Sequence, residues 1–135
     1  MQINGKTISA ESFIQDAFAF QKLAEKRGKE LLKAHGSELK FYDFAEEFEF
    51  EENTVRMTFK EVSQYPEREG IRLSITELEK SEEEWILYLK EVEDKLAEEK
   101  RKKKEEEKKK KLEADKKSLE EKHKLFEKLK KELGY

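Results

Sequence analysis

The first hydrophobic pattern along the chain has the period of a helix. Apolar residues recur every three, four or seven positions in this stretch: Phe13, Ala17, Phe20, Ala24 and Leu31. This spacing places side chains on one face of an α-helix. We predict a helix over about residues 10–35, with a capping box of Ser12 and Gln15 at its start and Gly36 just past its end.

From residue 47 the hydrophobic period changes from 3.6 to 2. Three runs alternate apolar with polar residues: Phe48 and Phe50; Val55, Met57 and Phe59; Ile71, Leu73 and Ile75. Alternation of this kind predicts antiparallel strands that are buried on one face only. The segment 39–44 breaks the alternation and is predicted to be a bulged or separate additional strand. A small hairpin is predicted at 3–6, because Asn4-Gly5 favours a type I′ turn.

A second capping box, Ser81 with Glu84, begins a stretch over 82–133 that contains no Gly, Pro or Asn. As one helix it would be about 78 Å long. Its first apolar positions are spaced to dock on the sheet: Trp85, Leu89, Val92 and Leu96. The predicted fold class is therefore α+β, with an N-terminal helix packed on a three- to four-stranded antiparallel sheet and a long charged C-terminal helix. We predict two parts, a head over 1–96 that includes the base of the long helix, and a charged helical stalk over 97–135.

The stalk has its own apolar stripe. Four of its residues are seven apart and a fifth lies between them: Leu112, Leu119, Phe126, Leu133 and Leu129. A seven-residue repeat is typical of a helix that pairs with another helix in a coiled coil. These five residues are the predicted oligomerisation site, with self-association of micromolar strength or weaker because the repeat is short. Residues 98–111 contain no apolar side chain and form a charged spacer.

Composition restricts the classes of function. Charged residues make up 47% of the chain, yet 30 basic residues nearly balance 33 acidic ones, so bulk charge does not favour nucleic acid as a direct ligand. No cysteine is present, which excludes disulfides and thiolate metal sites. No apolar run is long enough to cross a membrane, and MQINGKTIS lacks the pattern of a secretion signal, so the predicted location is cytoplasmic. No catalytic or metal-binding motif is present, and we expect neither an enzyme nor a cofactor.

Two features of the head suggest a surface for a partner. The segment 38–52 holds seven acidic residues and one basic residue, a net charge of −6. The alternative is ordinary solvation, because three of these carboxylates are predicted to lie across from Arg56 and Lys60 on the next strand. Six aromatic residues exceed what one helix face and one sheet face should bury: Phe18, Phe20, Phe41, Tyr42, Phe44 and Tyr65. Core filling is the favoured role for them, and the alternative is that some line a groove or a dimer interface. The predicted partner-binding residues are Asp43, Glu46, Glu52, Tyr42 and Tyr65.

These observations lead to three functional hypotheses. The first is a non-enzymatic interaction or assembly protein, whose head binds a protein partner and whose stalk forms a homo-oligomer or spans a distance. The alternative is a small inhibitor, of the kind that phages encode, which mimics nucleic acid through the acidic segment 38–52. The third is a direct nucleic-acid binder that uses the lysines of 100–104.

Overall fold

The computed structural model describes residues 1–134. In chain order the elements are β1 (Gln2–Ile3), β2 (Lys6–Thr7), α1 (Ala10–Ala34), β3 (Glu47–Phe50), β4 (Thr54–Lys60), β5 (Arg68–Ser74), α2 (Ile75–Glu79) and α3 (Glu82–Glu132). This order confirms the predicted α+β class, with one long C-terminal helix. The chain divides into two compact units, Met1–Asp94 and Lys95–Tyr135. The proposed boundary between residues 96 and 97 remains a prediction.

Both ends of α1 are capped. The N-cap is Ser9, whose side-chain oxygen accepts a hydrogen bond from the Ser12 amide, so the predicted capping box of Ser12 and Gln15 is wrong. Ser12 already lies inside the helix, where its amide needs an acceptor. At the other end Gly36 has φ +99°, and the amides of Gly36 and Ser37 donate to carbonyls of the last turn. Glycine adopts this left-handed conformation without steric cost, so its predicted role at the helix end is confirmed.

A three-stranded antiparallel sheet in the order β3-β4-β5 covers one side of α1. The predicted alternation is clearest in β4, where Val55, Met57 and Phe59 are buried. Two expectations are corrected. Ile75 begins α2 instead of extending β5, because the Ser74 hydroxyl accepts from the Glu77 amide and caps a new helix. The segment 39–44 contributes only an isolated bridge at Phe41, so within residues 1–134 the main sheet has three strands.

The core forms where α1, the sheet and the first turns of α3 meet. Its buried apolar members are Ala24, Leu31, Leu32, Val55, Met57, Phe59, Leu73 and Trp85. A Cβ atom on Gly28 would lie 2.7 Å from Met57 Cε, so glycine allows α1 to approach the sheet closely. Trp85 is 1% exposed, and Leu89 and Val92 pack against the core. The predicted docking of the base of the long helix is thereby confirmed for Trp85, Leu89 and Val92.

Arg27 joins α1 to the α2–α3 connection. Its guanidinium donates hydrogen bonds to the carbonyl oxygens of Glu77 and Leu78 at 2.9 and 3.1 Å, and to that of Lys80 at 2.8 Å. The guanidinium carbon also lies 5.0 Å from the Trp85 ring centroid. Carbonyls at the end of a helix have no partners within it, so Arg27 supplies donors that the short α2 lacks.

Tyr88 makes the stability of the fold sensitive to alkaline pH. Burial and the hydrogen bond to Glu77, 2.7 Å long, raise the pKa of Tyr88 from 10.0 to about 12. The folded state therefore holds the phenol proton more tightly than the unfolded state. The associated stabilisation is complete below the unfolded pKa of about 10 and is lost as pH rises toward 12.

We expect the free energy of unfolding to fall more steeply between pH 10 and 12 in the wild-type protein than in Tyr88→Phe. Urea denaturation at a series of pH values measures both slopes. Tyr65→Phe is the matched control, because Tyr65 is 83% exposed and should leave the wild-type slope unchanged. Equal slopes for wild type and Tyr88→Phe would contradict the prediction.

The second unit is a helical segment of α3 with charged side chains. Residues 98–111 contain several Glu and Lys residues spaced four apart, which lets their side chains meet on a helix. In one such pair, the Lys102 nitrogen lies 3.9 Å from a carboxylate oxygen of Glu98. Arg101 lies within 4.0 Å of both Glu98 and Glu105. Exposed pairs of this length contribute little each, so solvation and helix propensity carry this segment. None of the helices in residues 1–134 is long and apolar enough to cross a membrane.

Candidate protein interaction surface

The N-terminal half of α1 has an apolar face that the other described residues, within 1–134, leave exposed. Burial on α1 begins at Ala24, although the same hydrophobic period starts at Phe13. Phe13, Ile14 and Phe18 are 44%, 66% and 60% exposed. Because Ala17 precedes Ala24 by seven residues, two helical turns, both lie on the same side of the helix. We call the uncovered part, made of Phe13, Ile14, Ala17 and Phe18, the α1 aromatic face.

The composition of this segment is unusual for the chain. Between Ser12 and Gln21 the only charged residue is Asp16, whereas 47% of the whole chain is charged. The cores of protein interfaces are depleted in charge and enriched in aromatic residues. An exposed, nearly uncharged helix face in so charged a chain therefore has the composition of an interface.

A groove of about 540 Å³ lies beside this face. Phe18 and Phe44 supply its apolar lining, and Lys22 and Lys26 of α1 also line it. The Glu25 carboxylate accepts a hydrogen bond from the Ala45 amide, which ties the segment after Phe44 to α1. The alternative role for the surplus aromatic residues, lining a groove, is met by Phe18 and Phe44.

Phe50 extends the aromatic surface toward the sheet. Its ring is stacked 6.1 Å from that of Phe20 and meets that of Phe48 edge-on at 5.3 Å. It is nevertheless 73% exposed, because β3 is an edge strand and Phe50 is its last residue. The prediction that Phe50 belongs to the buried sheet face is therefore wrong.

Three of the predicted partner-binding residues lie close together in sequence but are already engaged. Tyr42 stacks on Phe44 with ring centroids 5.9 Å apart. Asp43 pairs with Lys29 at 3.0 Å, and Glu46 receives two hydrogen bonds from Arg68, at 2.6 and 3.2 Å. The Arg68 guanidinium lowers the pKa of Glu46 from its ordinary value. Asp43 and Glu46 are thus each compensated by a neighbouring cation.

The other two predicted residues lie at opposite ends of β4. Tyr65 is in the connection that follows β4, and the Tyr42 amide donates to the carbonyl of Lys60, the last residue of that strand. Glu52 lies in the turn that precedes β4. Seven strand residues separate the two ends, or about 23 Å. Glu52 is therefore remote from Tyr42 and Tyr65, and the five residues do not form one site.

The predicted stalk residues are all exposed. They are Leu112, Leu119, Phe126, Leu129 and Leu133. Leu125, 60% exposed, adds a further apolar side chain next to Phe126, which the heptad spacing alone did not single out. In the same part of the stalk, His123 Nε2 lies 3.3 Å from Glu127 Oε1.

Across residues 1–134 no three His, Asp or Glu side chains are grouped to hold a metal ion. Comparison with protein-family models, curated proteins and solved structures gives no significant match. The α1 aromatic face and the stalk stripe both present exposed apolar side chains.

Proposed function

We propose that this chain is a non-enzymatic interaction or assembly protein, whose first unit binds a protein partner through the α1 aromatic face. The observation that carries the proposal is that Phe13, Ile14 and Phe18 remain exposed on the side of α1 that is buried further along. Exposing such a patch disfavours a monomer in water, and covering it by a partner recovers hydrophobic free energy.

In the same proposal, the stalk joins copies of the chain to one another. Its leucines and Phe126 form an exposed apolar stripe that continues to Leu133. A stripe of this kind stabilises a helix only when a second helix covers it. We assign it to self-association of the chain, with residues 98–111 as the charged spacer.

The nucleic-acid mimic receives less support from the contacts. A mimic needs an uncompensated row of carboxylates, but Asp43, Glu46 and Glu49 each pair with a Lys or Arg side chain. Glu51 also lies within 4.0 Å of Arg56 and Arg72. These ion pairs favour the assembly hypothesis over the mimic.

Photo-cross-linking tests the proposed surface in the cells that make the protein. Replacing Phe18 by p-benzoyl-phenylalanine should give a discrete cross-linked adduct on illumination, because the probe is then buried against the partner. The same probe at Ala19, which lies 100° further round the helix and is exposed, is the control. Equal yields from both positions, or no adduct from Phe18, would refute the proposal for this surface.

A further inference from the structure

We infer that the partner of the α1 aromatic face is the same face of a second copy, with the two α1 helices antiparallel and a twofold axis close to Ala17. The inference rests on the proposed function and names the occupant of its surface. A twofold interface brings one patch against itself, so the patch must be complementary to itself. The distribution of charge and size along α1 meets this condition.

Charge complementarity comes from Glu11 and Lys22. At 100° per residue the two positions point in directions only about 20° apart, so they border the aromatic face on the same flank. In an antiparallel pair, residues of one flank meet residues of the same flank on the other helix. A twofold axis between positions 16 and 17 places Glu11 opposite Lys22 of the second copy, and the reverse.

Neither charge has a closer partner of its own. Within residues 1–134, Glu11 and Lys22 take part in no ion pair shorter than 4.0 Å. Lys22 Nζ instead lies 4.5 Å from the centroid of the Phe18 ring. The two side chains are roughly 16 Å apart along one helix, too far to pair within a single chain.

The apolar residues agree with the same arrangement. On the flank away from Glu11 and Lys22, Phe13 falls opposite Phe20 of the second copy. Within one chain Phe20 stacks on Phe50, so the Phe50 ring lies next to this contact. Ala17, nearest the axis, has a small side chain that permits close approach of the two helices. The interface would therefore have an apolar centre, aromatic rings on one flank and two reciprocal ion pairs on the other.

Single cysteines test the position of the axis directly, because the natural chain contains none. All variants are made in the full-length chain with Leu119→Lys and Phe126→Lys, so that the stalk stripe does not contribute. Under mild oxidation Ala17→Cys should form a disulfide-linked dimer at least tenfold faster than Ala19→Cys, since only position 17 meets its own copy. Both alanines are exposed, so neither change disturbs the core. Equal rates would overturn the inference.

A charge-reversal cycle tests the orientation of the helices. Glu11→Lys and Lys22→Glu alone should each raise the dimer dissociation constant about threefold to tenfold, by replacing two attractive pairs with repulsive ones. The double variant should return it to within twofold of its starting value. Sedimentation equilibrium measures all three constants. Failure of the double variant to recover would exclude the antiparallel pairing, because the two residues do not meet within one chain.

The results separate the inference from the function on which it rests. A purified chain that stays monomeric, while the Phe18 probe captures a different protein in cells, overturns the second-copy assignment and leaves the interaction surface standing. An adduct of twice the chain mass at Phe18, together with fast Ala17→Cys dimers, supports both. Absence of any Phe18 adduct together with equal cysteine rates refutes both.

Discussion

Replacing Arg27 by methionine is expected to lower the free energy of unfolding by about 3 to 5 kcal/mol. Arg27 is 3% exposed, and its guanidinium is the donor for three carbonyl oxygens at the end of α2. Methionine retains the apolar stem but leaves those carbonyls with no donor from α1. It also removes the cation–π contact with Trp85.

Urea denaturation followed by circular dichroism measures this loss. Arg68→Met is the matched control, because the Arg68 side chain is 49% exposed and pairs only at the surface with Glu46. That variant should lose much less stability than Arg27→Met, because solvent screens an exposed ion pair. Arg27→Lys should resemble Arg27→Met more than the wild type, since one ammonium group cannot reproduce the fork geometry of guanidinium. Losses of equal size at Arg27 and Arg68 would contradict the assigned role.

The strands were predictable because their signal is local. Alternation over a few residues fixes which side of β4 is buried, and the Glu49–Arg56 cross-strand pair follows from that register. The role of Arg27 was not predictable in this way. Its acceptors lie 50 to 53 residues further along the chain, and they become acceptors only because α2 ends there. A residue within an amphipathic helix gives no local sign of such a distant contact.

The site was predictable only in part, for a geometric reason. Both roles weighed for the surplus aromatic residues occur: Phe20 and Phe41 pack against the core, whereas Phe18 and Phe44 line a groove. The exposure of Phe13 and Ile14 could not be predicted from the hydrophobic period. The period shows which face of a helix is apolar, but not how much of that face the sheet will cover. The 25 residues of α1 span about 37 Å, whereas the seven residues of β4 span about 23 Å. A sheet of that length leaves the N-terminal part of the apolar helix face exposed to solvent.

Changing Leu119 and Phe126 together to lysine is expected to raise the dissociation constant of the oligomer at least tenfold. Both side chains are exposed in the single chain, at 68% and 64%, so the change costs little in the monomer. In a paired stalk they occupy equivalent heptad positions, and burying a lysine there requires desolvating its charge. Light scattering over a concentration series measures the shift in mass.

The matched control is Glu121→Lys, which raises the net charge by two, as the double variant does, but lies about 160° round the helix from Leu119. It should leave the mass unchanged. The thermal transition of the first unit should be the same in all these chains, because neither Leu119 nor Phe126 is buried. Adding Ala17→Glu to the double variant should remove the remaining association and leave a monomer. A wild-type mass for Leu119→Lys with Phe126→Lys would assign assembly to α1 alone and leave the stalk as a spacer.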